Sequence, residues 1–443
     1  MMLTTPFLTQ LDSRAAIKGS RDPLGVQSIW SRLGRHVVGN LTTVSTSVRD
    51  FTVLILGYYF AERVADDGGT AGDLATFLKW EQLAAYARAS VNKERGFRGT
   101  DRVLSRLANH DRVRLGTDGG AQILSNQKIY GLWGLYSVPS RASGLLEGDP
   151  ARLTSVARDL VERVYLPIFV EAGMRDGRAI VERLRAPEYT LDVRERSKDV
   201  AVLGAVAKIL ARLRAREREV YREHLLYGGP GDGAAGRGTR GLQREFADVL
   251  AETFDEDSWR VTPTSMAKLA MRARMRGSVG EALAERLGRI RTCELLIGPA
   301  VAFFEYMLAC DGQTPAQIAA AVHERWGRAP RGTINLEDTE ALEPELRAWA
   351  DDADSGRRWL RLAGAFHDGK YEDALQLVLE QNAAVMKARS AAASWAEVRQ
   401  GKLHVRFRDE QLSKLPEAKE LPLYWRHAYF IESLRNVAFA LQV

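Results

Sequence analysis

The sequence predicts a mainly α-helical protein in two parts, and three observations carry that expectation. Apolar residues recur at three- and four-residue spacing over most of the 443 residues. Alternating, strand-like runs are few and short. A glycine-rich stretch at 228–241 (GGPGDGAAGRGTRG), half of it glycine, interrupts the helical pattern near the middle. Such a stretch cannot bury enough apolar surface to offset the entropy of ordering it, so a linker or mobile loop is expected there. It divides the chain into a basic helical part, 1–227, and a second helical part, 242–443.

In chain order, Ser47 and Asp50 form a capping box ahead of an apolar run at 51–61, so a buried helix is expected over 48–65. The run is well short of the ~20 residues that a membrane span needs. A second helix fits 73–91, and Thr100 caps a shorter one containing Val103, Leu104 and Leu107. Residues 112–115 alternate, Thr117-Asp118-Gly119-Gly120 is a turn, and 121–124 is expected to return as a second strand. That order, over residues 73–125, is the order of a winged helix-turn-helix. Asp149-Pro150 opens an amphipathic helix with a kink expected at Pro167, and 198–226 reads as one long helix.

Beyond the glycine stretch, helices are expected over 241–254, from Thr262-Pro263, over 278–310 with a break at Gly298-Pro299, and from Thr314-Pro315 to Gly327. Helical pattern resumes at Asp338 and continues to about Ala392. Residues 395–399 and 402–408 form a small hairpin across Gln400-Gly401, and the chain closes on a helix after Pro422.

Composition narrows the class. The chain is 45% hydrophobic and 27% charged, with a formal charge of +6. It carries 51 Arg but only 12 Lys, a bias that codon composition in a GC-rich bacterial genome produces as readily as selection for phosphate. The distribution says more: 337–380 holds 12 acidic and 5 basic residues, so the remainder of the chain is +13. Cys293 and Cys310 form no metal-binding spacing and read as core thiols in a reducing compartment. The N-terminus lacks the layout of a secretory signal, so a cytoplasmic location is expected.

Four features are candidates for function. The glycine stretch lacks the lysine and the preceding strand of a phosphate-binding loop, but Arg237 and Arg240 can neutralise phosphates without fixed geometry. Arg98, Arg102, Arg106, Arg112 and Arg114 would lie on the recognition helix and wing of the winged helix; the alternative is solvated arginines on a structural helix and hairpin. Lys268, Arg272, Arg274 and Arg276 form a ridge with no acid between Arg260 and Arg276, suited to nucleic acid or to the chain's own acidic segment. On the hairpin strand, Lys402, His404, Arg406 and Arg408 share one face, for a ligand or as protection of an edge strand.

For catalysis, the seven histidines show no metal-binding spacing, and Asp409 with Glu417-x-Lys419 only mimics a nuclease signature. No metal or cofactor site is expected. The sequence therefore favours a non-catalytic, DNA-associated helical protein in a cytoplasmic bacterial multi-protein assembly, of the kind used in genome maintenance or phage defence. A protein-only adaptor or scaffold is the alternative. An enzyme whose groups converge from distant positions ranks third, and a deep pocket with convergent carboxylates or histidines would be its mark.

Overall fold

A computed structural model describes residues 22–66, 73–174, 177–230, 241–256, 259–349, 352–390, 393–407 and 414–442. It is mainly helical, as expected, with three short antiparallel strand pairs among the described residues. The principal helices are α1 (Val26–Arg35), α2 (Val48–Asp66), α3 (Asp73–Ser90), α4 (Thr100–Asn109), α5 (Leu132–Ala142), α6 (Val200–Ala211), α7 (Ala215–Tyr221) and α8 (Leu242–Ala251). They continue as α9 (Pro263–Arg274), α10 (Gly277–Leu308), α11 (Pro315–Trp326), α12 (Ala353–Asp368), α13 (Tyr371–Ala388) and α14 (Ile431–Gln442). The strands are β1 (Arg112–Leu115), β2 (Leu146–Glu147), β3 (Arg152–Leu153), β4 (Tyr189–Asp192), β5 (Ala396–Arg399) and β6 (Lys402–Val405).

The chain forms two compact units, each discontinuous in sequence. One takes residues 38–254 and 430–443; the other takes 1–37 and 255–429. This differs from a division at the glycine stretch, because α8, which follows that stretch, stays with the helices before it. The reason is a buried amide pair. Gln243 Nε2 donates to Asn40 Oδ1 (2.8 Å) and to the carbonyls of Leu225 and Leu226 (both 3.1 Å), and its Oε1 accepts from Gly39 N (2.9 Å). Asn40 Nδ2 in turn reaches the carbonyls of His224 (2.8 Å) and Leu225 (3.0 Å). Those carbonyls belong to a wide π turn at Arg222–Leu226, where the regular helical ladder leaves them without partners.

In the 38–254 unit, α2 is buried nearly all round and packs on α3. Gly57 allows that approach: a Cβ there would lie 2.6 Å from the Phe77 ring and 2.9 Å from Trp80. Among the described residues no helix is long and apolar enough to cross a membrane. The expected wing is not formed. Residues 121–124 make no strand, and β1 pairs instead with β4, Arg112 opposite Asp192 and Leu115 opposite Tyr189. Asp149-Pro150 lies in the turn between β2 and β3, so the helix starts later, where the Thr154 side chain caps Ala157 N. A π turn at Val161–Tyr165 precedes Pro167 and absorbs the irregularity that proline imposes.

The expected helix over 198–226 is likewise divided, at residues 212–214. Glu217 decides the break. Its fully buried carboxylate accepts from Arg49 (2.8 Å), Thr52 (2.8 Å), Tyr165 (2.7 Å) and Arg214 N (3.1 Å), so the chain restarts as α7 to place it.

In the 255–429 unit, α1 is capped by Asp22, which accepts from Val26 N (2.9 Å) and Gln27 N (3.0 Å). Thr262 and Thr314 cap α9 and α11 as their Thr-Pro sequences predict. The break expected at Gly298-Pro299 does not occur. Helix α10 runs through Pro299, and every residue from Cys293 to Phe304 is buried, so packing on both sides outweighs the one lost hydrogen bond. The β5–β6 hairpin turns at Gln400 (φ 48°) and Gly401 (φ 72°), the paired left-handed conformation of a two-residue hairpin.

Candidate functional site

The arginines singled out for nucleic acid are largely engaged within the chain. Arg102 donates to the carbonyls of Gln122 (3.1 Å) and Leu124 (2.9 Å), and Arg106 to those of Gly120, Ala121 and Gln122 (2.5–2.8 Å). Together they clamp the loop that was expected to be the wing's second strand. Arg98 reaches the Tyr130 carbonyl (3.3 Å), Arg112 pairs with Asp192 (3.3 Å), and Arg114 pairs with Asp118 (2.5 Å) and Glu188 (2.9 Å).

In the other unit, Arg272 pairs with Glu256 (3.1 Å), and Arg276 also has a partner. Lys268 and Arg274 are exposed and carry no ion pair among the described residues. On the hairpin, Arg406 pairs with Glu397 (2.6 Å), while Lys402 and His404 face outward. The outer edge of β6 is itself covered, since Leu403 exchanges backbone hydrogen bonds with Gly312 and Gln313 (both 2.8 Å). Edge protection therefore does not explain its cations. Arg237, Arg240 and Arg408 lie outside the described residues, as does Asp409. Glu417 and Lys419 pair with each other at 2.8 Å on the surface.

What the fold assembles instead is a carboxylate–histidine pair behind an aromatic cavity. Glu294 sits on the buried face of α10 with no exposed surface. One of its oxygens, Oε1, accepts from the backbone N–H groups of Arg426 (2.5 Å) and His427 (3.1 Å). The other, Oε2, accepts from His427 Nδ1 (2.8 Å) and the Tyr429 hydroxyl (3.0 Å). All four donors converge from one short segment, 426–429, folded over the middle of α10. The carboxylate fixes the tautomer of His427: with the proton on Nδ1, the other nitrogen, Nε2, is left as the basic atom.

That nitrogen has no hydrogen-bond partner among the described residues, and His427 lines a cavity of about 300 Å³. Trp30 stacks on the imidazole (ring centroids 6.2 Å apart, 26° between planes). Trp395 and Phe304 form another wall, and Phe407 packs behind Trp395 at 4.3 Å. Arg426 supplies a cation at the margin, held by Glu305. Burial works against that charge, but Glu305 and Tyr424 more than offset it, and the guanidinium pKa lies above its ordinary value.

No family model matches this chain, and neither a curated protein nor a solved structure was found to resemble it.

The surrounding groups limit the chemistry. Cys293 is the nearest thiol, but burial and the neighbouring Glu294 charge push its pKa well up, so it stays protonated and is no nucleophile. Burial, with Cys293 and Glu294 beside it, also raises the Tyr429 hydroxyl well above its ordinary value; it serves as a donor to Glu294. Tyr429 has φ 43°, a left-handed conformation costly for an aromatic residue, which the Glu294 hydrogen bond and the flanking Trp425 and Trp30 rings hold in place. A larger groove of about 630 Å³ beside Ala316, Ala319 and His323 has no such oriented pair, since His323 bonds no carboxylate among the described residues.

Sequence reading missed this site because 132 residues separate Glu294 from Arg426. One signal was present. Glu294 is the only acid between Glu285 and Glu305, in a stretch otherwise rich in apolar residues. An acid buried in an apolar helix needs a partner elsewhere in the chain.

Proposed function

We propose that the 255–429 unit binds a small planar molecule in this cavity and that His427, oriented by Glu294, exchanges a proton with it. The observation that carries the reading is the buried Glu294–His427 pair, whose histidine lines an aromatic-walled cavity and has its second ring nitrogen without a partner among the described residues. A carboxylate that orients a histidine holds it in one tautomer, the arrangement that general acid–base catalysis uses. The cavity volume is at the low end of ligand sites, which suits a one- or two-ring molecule and is too small for a dinucleotide. This makes the enzyme reading, third on sequence alone, the best supported.

A screen of planar aromatic fragments by ligand-observed NMR tests it. Binders are expected, Gln27→Trp, which fills the cavity from α1, should displace them, and His427→Gln should abolish any pH dependence of their binding. If Gln27→Trp leaves every binder in place, the reading is wrong.

The nucleic-acid reading stays as a second proposal, supported by the exposed cations Lys268, Arg274 and Lys402, with His404 exposed on the same strand as Lys402. Under it the chain is a DNA-associated component of a cytoplasmic assembly. Binding to duplex DNA should weaken steeply with salt, and the double substitution Lys268→Glu, Arg274→Glu should flatten that dependence. Absence of binding at low salt would remove it.

A further inference from the structure

We infer that the cavity takes a small aromatic carboxylate, anchored by Arg426 with its ring between the aromatic walls. The inference rests on the small-molecule reading above and adds the chemical class. It follows from counting the polar capacity that the cavity walls have left over.

The acids at the cavity are already saturated or paired. Asp22 accepts from Val26 N and Gln27 N and pairs with Arg389 (3.2 Å), and Glu305 is paired with Arg426. Glu294 lies behind His427 with its four donors. The donors are not exhausted. A guanidinium has five N–H groups, and Arg426 directs one to Glu305 and a long contact (3.5 Å) to the Tyr424 hydroxyl. The remainder have no acceptor among the described residues. A proton on His427 Nε2 would add one more donor at the same wall.

The acceptors left over, the Gln27 amide oxygen and His427 Nε2, are neutral, whereas the unused donors include a charged guanidinium, so the charge complement of this cavity is an acceptor carrying negative charge. Guanidinium and carboxylate match in geometry, and the pair is strongest where water is partly excluded. Trp30, Phe304 and Trp395 then select a flat apolar body over an aliphatic chain. Glu305 repels an incoming carboxylate; Arg426, shared between the two, and His427 offset that repulsion. A cationic ligand finds no free acid. It is drawn to the aromatic faces and to Glu305 and Asp22, but both carboxylates are already paired with arginines, and the Arg426 charge opposes it.

The test compares benzoate, benzamide and benzylamine, three probes of one shape and different charge, by ligand-observed NMR and calorimetry on the full chain. Benzoate is expected to bind tightest, and Arg426→Gln should weaken it about ten- to a hundredfold and benzamide, whose carbonyl accepts without charge, by much less. The ranking on the unaltered chain needs no variant, so it decides the matter even if Arg426→Gln does not fold. Benzylamine or benzamide binding as tightly as benzoate overturns the inference, as does unchanged benzoate affinity in folded Arg426→Gln. In either case the small-molecule reading survives if other fragments bind and Gln27→Trp displaces them. If no planar fragment of any charge binds, the reading and the inference fall together.

Discussion

Glu294 and Glu81 are both buried carboxylates, yet their surroundings give them opposite tasks. Glu294 accepts four hydrogen bonds, two from backbone, and is held as an acceptor. Replacing it with alanine leaves those donors buried without a partner. Glu294→Ala should lower the unfolding free energy by about 3–5 kcal/mol, measured by urea titration. A loss below about 1 kcal/mol would mean that water replaces the carboxylate.

Among the described residues Glu81 accepts only from Leu132 N (2.8 Å) and Gln127 Nε2 (2.8 Å), and it lies fully buried. Burial raises its pKa from 4.5 to about 7; the two hydrogen bonds pull against that, Asp50 adds to it, and Arg98 subtracts. A raised acid means that the folded chain binds a proton the unfolded chain has released. The stability this gives is complete below about pH 4.5 and falls as pH rises toward 7. The shift corresponds to about 3 kcal/mol, and Glu81→Gln should remove that much of the pH dependence between denaturation curves at pH 4.5 and 8. Identical pH slopes in the two proteins would contradict the assignment. Sequence alone does not separate the two roles, since each residue is an acid within an apolar stretch of its helix; the count of donors around each decides.

At the scale of elements, local sequence set the starts of helices better than their continuity. Thr262-Pro263 and Thr314-Pro315 open α9 and α11 because a capping side chain and a proline at the first turn act within a few residues. The middles of helices answer to neighbours instead. Pro299 does not stop α10, Glu217 restarts a helix that its periodicity would continue, and residues 121–124 forgo a strand because Arg102 and Arg106 take their carbonyls. The α2–α3 packing gives a test at this scale. Gly57→Ala places a methyl 2.6 Å from the Phe77 ring, inside contact distance, and should lower stability by about 1–3 kcal/mol with a corresponding drop in Tm. An unchanged Tm would show that Phe77 moves aside freely.

At the scale of the molecule, the chain crosses between its two units at residues 37–38, 254–255 and 429–430. No composition shift marks those points, whereas the most conspicuous shift, the glycine stretch, falls within one unit. Gln243 tests that arrangement: Gln243→Ala removes its hydrogen bonds to the Leu226 carbonyl and to Asn40 Oδ1, and should lower stability by about 1–3 kcal/mol in urea titration. A neutral substitution would mean that α8 is held by its apolar face alone.

The sequence by itself determined the helical class, the capped helix starts, the β5–β6 hairpin and the burial of the apolar runs, because period, caps and two-residue turns act through near neighbours. Tertiary structure alone decided which arginines are spent within the chain, where the units divide and that Glu294 meets His427. Hydrogen-bond partners are chosen by distance in space, and the short segment that brings His427 back over α10 carries no periodic pattern of its own.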